Sequence, residues 1–212
     1  MVDNFTLNRI ALRTRSIISR DDGSLNSELS LPGDSLKGCS TYWLRALVHH
    51  SRGDMSSRDQ NLADAMHCDD RLVILAHKFF PEDLGLAHLA IKAAPKNAEA
   101  WFWLAEVRSE EDKEQAIELF KHGLALDPKD GVRWRMLGDL LRGGDPEGSI
   151  SAYLQSCYNG DPGVNGCARA GSVAEQLGLY ELAIQYYRLS KYQKALHRAD
   201  ELEAQLEVQT QP

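Results

Sequence analysis

Histidine, cysteine and carboxylate side chains are the groups of this 212-residue chain that could hold a metal ion. The densest cluster is the run His67-Cys68-Asp69-Asp70, and His49 is followed directly by His50. Successive residues of a helix point about 100° apart, so adjacent histidines do not share an ion by themselves. No histidine or cysteine has another four residues away to complete a ligand set. We therefore predict that the chain binds no metal ion and no other cofactor.

Residues arranged for acid–base or nucleophilic catalysis are equally sparse. The acidic run Glu110-Glu111-Asp112 is typical of a charged turn between helices rather than of a catalytic carboxylate pair. The sequence contains no GxSxG motif, no P-loop and no HExxH motif. These observations predict that the protein is not an enzyme; a catalytic site within residues 21–39 is the alternative left open.

The four cysteines, Cys39, Cys68, Cys157 and Cys167, form no CxxC pair. We interpret them as free thiols, which suits a reducing compartment, although four cysteines can also pair in an oxidising one. The sequence has no run of 18 apolar residues and no apolar signal core at its N-terminus. Together these features predict a cytoplasmic protein.

Charge is distributed unevenly along the chain. The net charge is −7, from 24 basic and 31 acidic side chains, and residues 98–163 hold 7 basic and 13 acidic ones. Nucleic-acid binding through a broad surface needs clustered lysine and arginine that neutralise phosphates. We therefore expect no nucleic-acid partner.

The spacing of apolar residues predicts helices throughout, and hence an all-α fold. Five regions follow from the pattern: an N-terminal amphipathic helix (1–20), a Gly/Ser/Asp/Pro-rich flexible linker (21–39), two degenerate helical units (40–97), three clear units (98–190) and a C-terminal capping helix (191–208). Within the first region, residues 4–19 are expected to pack on the first unit, and contact with a membrane surface is the alternative.

The three clear units superpose with a step of 33 to 34 residues. Trp101, Ala105 and Phe120 correspond to Trp134, Gly138 and Tyr153, and the third copy has Gly171 and Tyr187. Such a period is typical of stacked helical arrays, because one unit alone cannot bury its apolar face. Small residues recur where the helices of a pair must approach closely.

Residues 98–190 resemble three tetratricopeptide repeats, and residues 40–97 resemble two degenerate ones. Unit one fits the family pattern with Trp101, Leu104, Ala105, Ala116, Phe120, Gly123 and Pro128, whereas unit three has Cys167 where a large aromatic residue is usual. The resemblance implies a right-handed superhelix of stacked antiparallel helix pairs. It also implies that one face of the first helices lines a concave groove for a peptide or a partner protein.

Nine residues are predicted to line that groove: Glu99, Phe102, Glu106, Glu110, Arg135, Asp139, Arg142, Ser172 and Glu175. Acidic side chains predominate, so we expect a basic or mixed-charge partner. One subfamily grips a terminal carboxylate with Lys, Asn and Arg, but Glu106, Asp139 and Ser172 occupy the row where Asn is expected, which disfavours that mode. Trp103 and Tyr186 are predicted to be surface aromatics that could anchor a partner.

Two functions remain open from the sequence. The leading hypothesis is a non-enzymatic adaptor or scaffold that binds a peptide or protein in its groove. The alternative is a soluble repeat tail or subunit of a larger, membrane-associated bacterial assembly, such as a cell-surface polysaccharide polymerase.

Overall fold

The computed structural model describes residues 39–160 and 166–210. The N-terminal helix predicted over residues 1–20 lies outside the described residues, as does most of the linker predicted over residues 21–39. The described part is all-α. Its helices are α1 (Cys39–Ser51), α2 (Met55–Cys68), α3 (Leu72–Phe79), α4 (Leu84–Ala93), α5 (Ala98–Arg108), α6 (Lys113–Leu126), α7 (Gly131–Leu141), α8 (Pro146–Tyr158), α9 (Gly166–Gln176), α10 (Tyr180–Leu189) and α11 (Gln193–Thr210).

Aspartate caps fix where five of these helices begin. In each case the carboxylate accepts a hydrogen bond of 2.9 to 3.1 Å from the backbone N–H three residues later. The caps are Asp54, Asp83, Asp112, Asp130 and Asp145, which precede α2, α4, α6, α7 and α8. Such a cap satisfies an amide that has no partner within the helix and stabilises it by about 1 kcal/mol.

The chain divides into two compact units, and the division falls between Val107 and Arg108. In the first unit, α1 and α2 form an antiparallel hairpin around a turn at Gly53, whose φ of 73° lies in the left-handed region. The hairpin buries Trp43 and Leu47 of α1 and Met66 of α2 completely. Helix α4 packs on α2, with α3 beside both.

The second unit, from residue 108 onward, has a regular arrangement. Helices α7 and α8 form one antiparallel pair, α9 and α10 form the next, and α8 packs on α9. Their shared core contains Tyr153, Val173, Ala183, Tyr187 and Leu202. The repeat therefore buries its apolar residues by stacking one pair on the next, as the 33- to 34-residue period predicts.

Helix α11 ends the second unit by covering α10. The chain leaves α10 at Ser190, which has an extended backbone, so the long C-terminal pattern consists of two helices rather than one. Ala199 and Leu202 of α11 are buried against the unit. Arg188 of α10 also pairs with Asp200 and Glu203 of α11 at 2.6 and 2.7 Å. Helix α11 thus covers one side of α10 at this end of the second unit.

Two tryptophans make the same hydrogen bond in successive repeats. The indole N–H of Trp101 donates to the carbonyl oxygen of Pro95, and that of Trp134 donates to the carbonyl oxygen of Pro128, both at 2.9 Å. Each bond ties a first helix to the proline turn six residues before it. This contact explains why proline and tryptophan recur together in the repeat.

All four cysteines are paired, so the interpretation of free thiols is wrong. Cys39 at the start of α1 is bonded to Cys68 at the end of α2, and Cys157 near the end of α8 is bonded to Cys167 near the start of α9. The pairs are 29 and 10 residues apart in sequence, with Cα–Cα distances of 5.4 and 5.3 Å. The spacing of the cysteines does not identify these pairs, because a disulfide depends on which helix ends meet in space.

Within residues 39–160 and 166–210, none of the helices has both the length and the apolar character needed to cross a membrane.

Candidate functional site

A polar surface runs across the first helices of the second unit. We call it the first-helix face and define it as Arg135, Asp139, Arg142, Arg169, Ser172 and Glu175. Arg135, Asp139 and Arg142 are spaced by four and three residues, which places them in one stripe along α7. Arg169 and Glu175 belong to α9, the next first helix of the stack. Five of the nine residues predicted from sequence therefore belong to this face.

Asp139 is the centre of the first cluster on the first-helix face. The Tyr153 hydroxyl donates to Asp139 Oδ1 at 2.6 Å, and Arg169 Nη1 donates to the same oxygen. Arg135 Nη1 lies 3.5 Å from Asp139 Oδ2. The Arg169 guanidinium also lies over the Tyr153 ring, 5.7 Å from its centroid. Burial, followed by the bond to Asp139, raises the pKa of Tyr153, so the hydroxyl stays a donor at neutral pH.

Glu175 repeats the arrangement one helix pair later. It accepts a hydrogen bond of 2.8 Å from the Tyr187 hydroxyl, and the guanidinium of Arg198 in α11 binds it through Nε at 3.1 Å and through Nη2. The hydrogen bonds from Arg198 lower the pKa of Glu175. Burial, helped by Glu175, raises the pKa of Tyr187 to about 12. Each carboxylate is thus held between a buried tyrosine and at least one arginine.

Arg142 and Ser172 complete the first-helix face without joining either cluster. Arg142 is exposed directly after α7 and makes no ion pair with any residue in the described part of the chain. Ser172 is half-buried on α9. The guanidinium of Arg142 is therefore the part of this face most available to an incoming group.

In the first unit, Glu99 and Glu106 both contact His77, which was not predicted from the sequence to lie near them. His77 Nδ1 lies 2.8 Å from Glu99 Oε1, and His77 Nε2 lies 3.5 Å from Glu106 Oε2. The imidazole is buried and stacks on the Trp103 ring, with 5.4 Å between centroids. The two carboxylates therefore serve the packing of α3 on α5.

Two aromatic predictions need correction. Trp103, predicted to be a surface anchor, has no exposed surface, and its indole N–H donates to the Pro81 carbonyl oxygen at 2.9 Å. Phe102, predicted to line the groove, is only 1% exposed. The helical spacing of apolar residues predicted that both side chains are exposed, because it assumed that α5 has one buried face. In the structure, α5 is buried on several sides. Tyr186 is half-buried, and Glu110 is exposed in the turn after α5.

The His67-Cys68-Asp69-Asp70 run has structural contacts rather than a metal-site geometry. Cys68 is in a disulfide, and the Asp69 carboxylate accepts from Arg71 Nε and Nη2 at 3.0 and 2.8 Å. The Asp70 carbonyl accepts from Asn97 Nδ2 at 2.7 Å. These residues border an open cavity of about 710 Å³. Across the described residues, no three His, Cys, Asp or Glu side chains converge as a metal site would require.

Comparison with known proteins agrees with this architecture. The family model described as "Tetratricopeptide repeat" matches residues 164–195, which include α9 and α10. The resemblance to tetratricopeptide repeats is thereby confirmed, and the chain has an all-helical repeat fold of this type.

Crystal structures of MamA are among the solved structures that share the fold, and two of them are compared with this chain. Each is 18% identical to this chain, with TM-scores of 0.53 and 0.51. The alignments cover 79% and 76% of this chain and 94% and 96% of the MamA chains. No curated protein matches the sequence.

Proposed function

We propose that this chain is a non-enzymatic protein-interaction module that binds a partner protein or peptide on the first-helix face. The tetratricopeptide match and the stacked helix pairs support an interaction scaffold in general. The assignment to this face rests on one observation: Asp139 and Glu175 are each fixed by a buried tyrosine and by an arginine two helices further along the chain.

Fixed side chains favour binding because they lose little conformational freedom when a partner docks. Ordering a long side chain costs about 0.5 to 1.5 kcal/mol at an interface. Arg169 and Arg198 are already held by ion pairs to Asp139 and Glu175. These side chains therefore lose most of their conformational entropy when the chain folds rather than when a partner binds. The face presents its hydrogen-bond donors in a defined arrangement.

Site-specific crosslinking tests this proposal. A photoreactive amino acid at Val132, which is exposed at the start of the α7 stripe, should crosslink a partner protein that mass spectrometry then identifies. The same amino acid at Glu118, which is exposed on the second helix α6, is the matched control. The identified partner is then produced and titrated directly. Equal crosslinking from both positions, or no change in the dissociation constant of Arg142→Glu, would overturn the proposal.

A further inference from the structure

We infer that the first-helix face binds an acidic, extended segment of its partner, an inference that rests on the proposed function. The chain carries a net charge of −7, yet this face has three arginines and two carboxylates. Arg198 and its partner Glu201, which approach from α11, add one charge of each sign. The face is therefore locally positive on an acidic protein.

The acidic and basic side chains of the first-helix face also differ in how many hydrogen bonds they can still make to a partner. Asp139 accepts from Tyr153 and Arg169 and pairs with Arg135, and Glu175 accepts from Tyr187 and Arg198. A carboxylate has about four acceptor sites, and these contacts occupy about three of them in each case, which leaves fewer for a lysine or arginine of a partner.

The arginines, in contrast, still have donors to offer. A guanidinium has five N–H donors, and Arg169 uses Nη1 for Asp139. Arg142 makes no ion pair among the described residues and is exposed. Arg135 and Arg142 are seven residues apart, or about 10 Å along α7. Asp and Glu side chains of an extended segment would reach both, so we favour an acidic partner over the basic or mixed-charge one expected from the sequence.

The test uses two labelled ten-residue peptides, one alternating Glu with Ser and the other alternating Lys with Ser, titrated by fluorescence anisotropy against the full chain. The Glu peptide should bind, and Arg142→Glu should weaken it about fivefold or more, the effect of losing at least one exposed charge pair. Lys121→Glu, which makes the same charge change on α6, should leave the affinity unchanged. Raising the salt from about 50 to about 300 mM should weaken binding.

Three results would overturn the acidic partner: tighter binding of the Lys peptide, no binding of either peptide, or equal effects of the Arg142 and Lys121 variants. The proposed function is judged separately by crosslinking from Val132. A partner captured there that lacks an acidic segment would leave the interaction module standing and remove only this inference.

We also infer, from an independent observation, that the protein works in an oxidising compartment. Each compact unit contains one disulfide, and each disulfide joins helix ends that pack together. At the second bridge, Gly166 approaches α8 so closely that a Cβ there would clash with the Tyr153 carbonyl oxygen and lie 2.8 Å from the Cys157 nitrogen. This close approach brings Cys167, the next residue, within bonding distance of Cys157.

Because each of the two units contains its own disulfide, a chance approach of two thiols does not explain the pairing of the cysteines. Glutathione and thioredoxin keep cytosolic thiols reduced, whereas disulfides persist in exported proteins. Each bridge forms when two thiols release two protons and pass two electrons to the disulfide of an oxidoreductase, which becomes a dithiol. This inference replaces the cytoplasmic location predicted from sequence.

Thiol trapping in the source cells tests the compartment. Cells are quenched in acid, the protein is denatured with iodoacetamide, and mass spectrometry counts the alkylated cysteines. We expect no alkylation of the native chain and one alkylated residue, Cys167, in the Cys157→Ser control. Alkylation of all four cysteines in the native chain would overturn the inference.

Discussion

The ring of Tyr153 lies against Gly138, and a Cβ on that glycine would come within 2.7 Å of two ring carbons. Gly171 and Tyr187 repeat the contact one helix pair later, with distances of 2.7 and 2.8 Å. Because the glycine lets the ring pass over the first helix, the Tyr153 hydroxyl reaches Asp139 on the first-helix face. The contact between Gly138 and Tyr153 thus packs the two helices together and also positions the Tyr153 hydroxyl on the first-helix face.

Replacing Gly138 with alanine should destabilise the protein by about 1 to 3 kcal/mol, because the added methyl group overpacks the Tyr153 ring. Leucine at this position should cost more. Gly144→Ala is the control, since a Cβ at Gly144 meets no atom within 4 Å. Urea unfolding followed by circular dichroism measures both variants. Equal midpoints for the two alanine variants would contradict the contact.

Removing the charge of Asp139 should change stability and binding in opposite directions. Asp139→Asn weakens the bonds to Arg169 and Tyr153, so it should destabilise the fold by about 1 kcal/mol. The same change removes a negative charge from the first-helix face, so the Glu peptide should bind more tightly. Unfolding and anisotropy titrations on the same preparation test the pair of effects. Weaker binding of the Glu peptide would count against an acidic partner.

Acid should destabilise the chain partly through Glu175. Its pKa in the folded protein lies below the ordinary value of 4.5, because Arg198 and Tyr187 donate hydrogen bonds to it. A carboxyl whose pKa is depressed by folding stabilises the protein above its unfolded pKa, and this contribution is lost as the pH falls through the folded value. The loss should therefore begin near pH 4.5 and increase at lower pH.

Glu175→Gln isolates this contribution, since it keeps the shape of the side chain and removes the ionisation. Between pH 7 and pH 3, the free energy of unfolding should fall further for the native protein than for Glu175→Gln. Parallel curves for the two proteins would show that Glu175 is not held as described.

The two disulfides should be reduced in a fixed order. Cys68 is exposed and Cys39 half-buried, whereas Cys157 is half-buried and Cys167 has no exposed surface. Exchange requires a thiolate to reach a sulfur, so dithiothreitol should open Cys39–Cys68 before Cys157–Cys167. Timed alkylation and peptide mapping give the order. Reducing Cys39–Cys68, which closes a loop of 29 residues, should lower the free energy of unfolding by about 3 to 4 kcal/mol. The reverse order would contradict this difference in exposure between the two disulfides.

The period of the sequence was sufficient to predict the stacked helix pairs and the small residues between them. Gly138 and Tyr153 could be placed because the repeat shows the same residue types again at Gly171 and Tyr187. The stripe of Arg135, Asp139 and Arg142 could be placed because it lies on one helix and its C-terminal cap. Both cases depend on local geometry, which a pattern along the chain records.

Contacts between distant segments were not predictable in this way. Arg169 is 30 residues from Asp139, and His77 is 22 residues from Glu99. Neither pair has a spacing that marks it in the sequence, because each depends on which helices pack together. The same limitation hid the disulfide at Cys167, whose position in the repeat is usually occupied by a large aromatic residue.

Chemical-shift mapping is the most direct measurement of whether the first-helix face is the binding surface. Amide spectra of the ¹⁵N-labelled full chain are recorded while the Glu peptide is added to saturation. The account predicts that the shifted amides concentrate at residues 135–142 and 169–175. Shifts confined to the second helices α8 and α10, or an unchanged spectrum at saturating peptide, would contradict it.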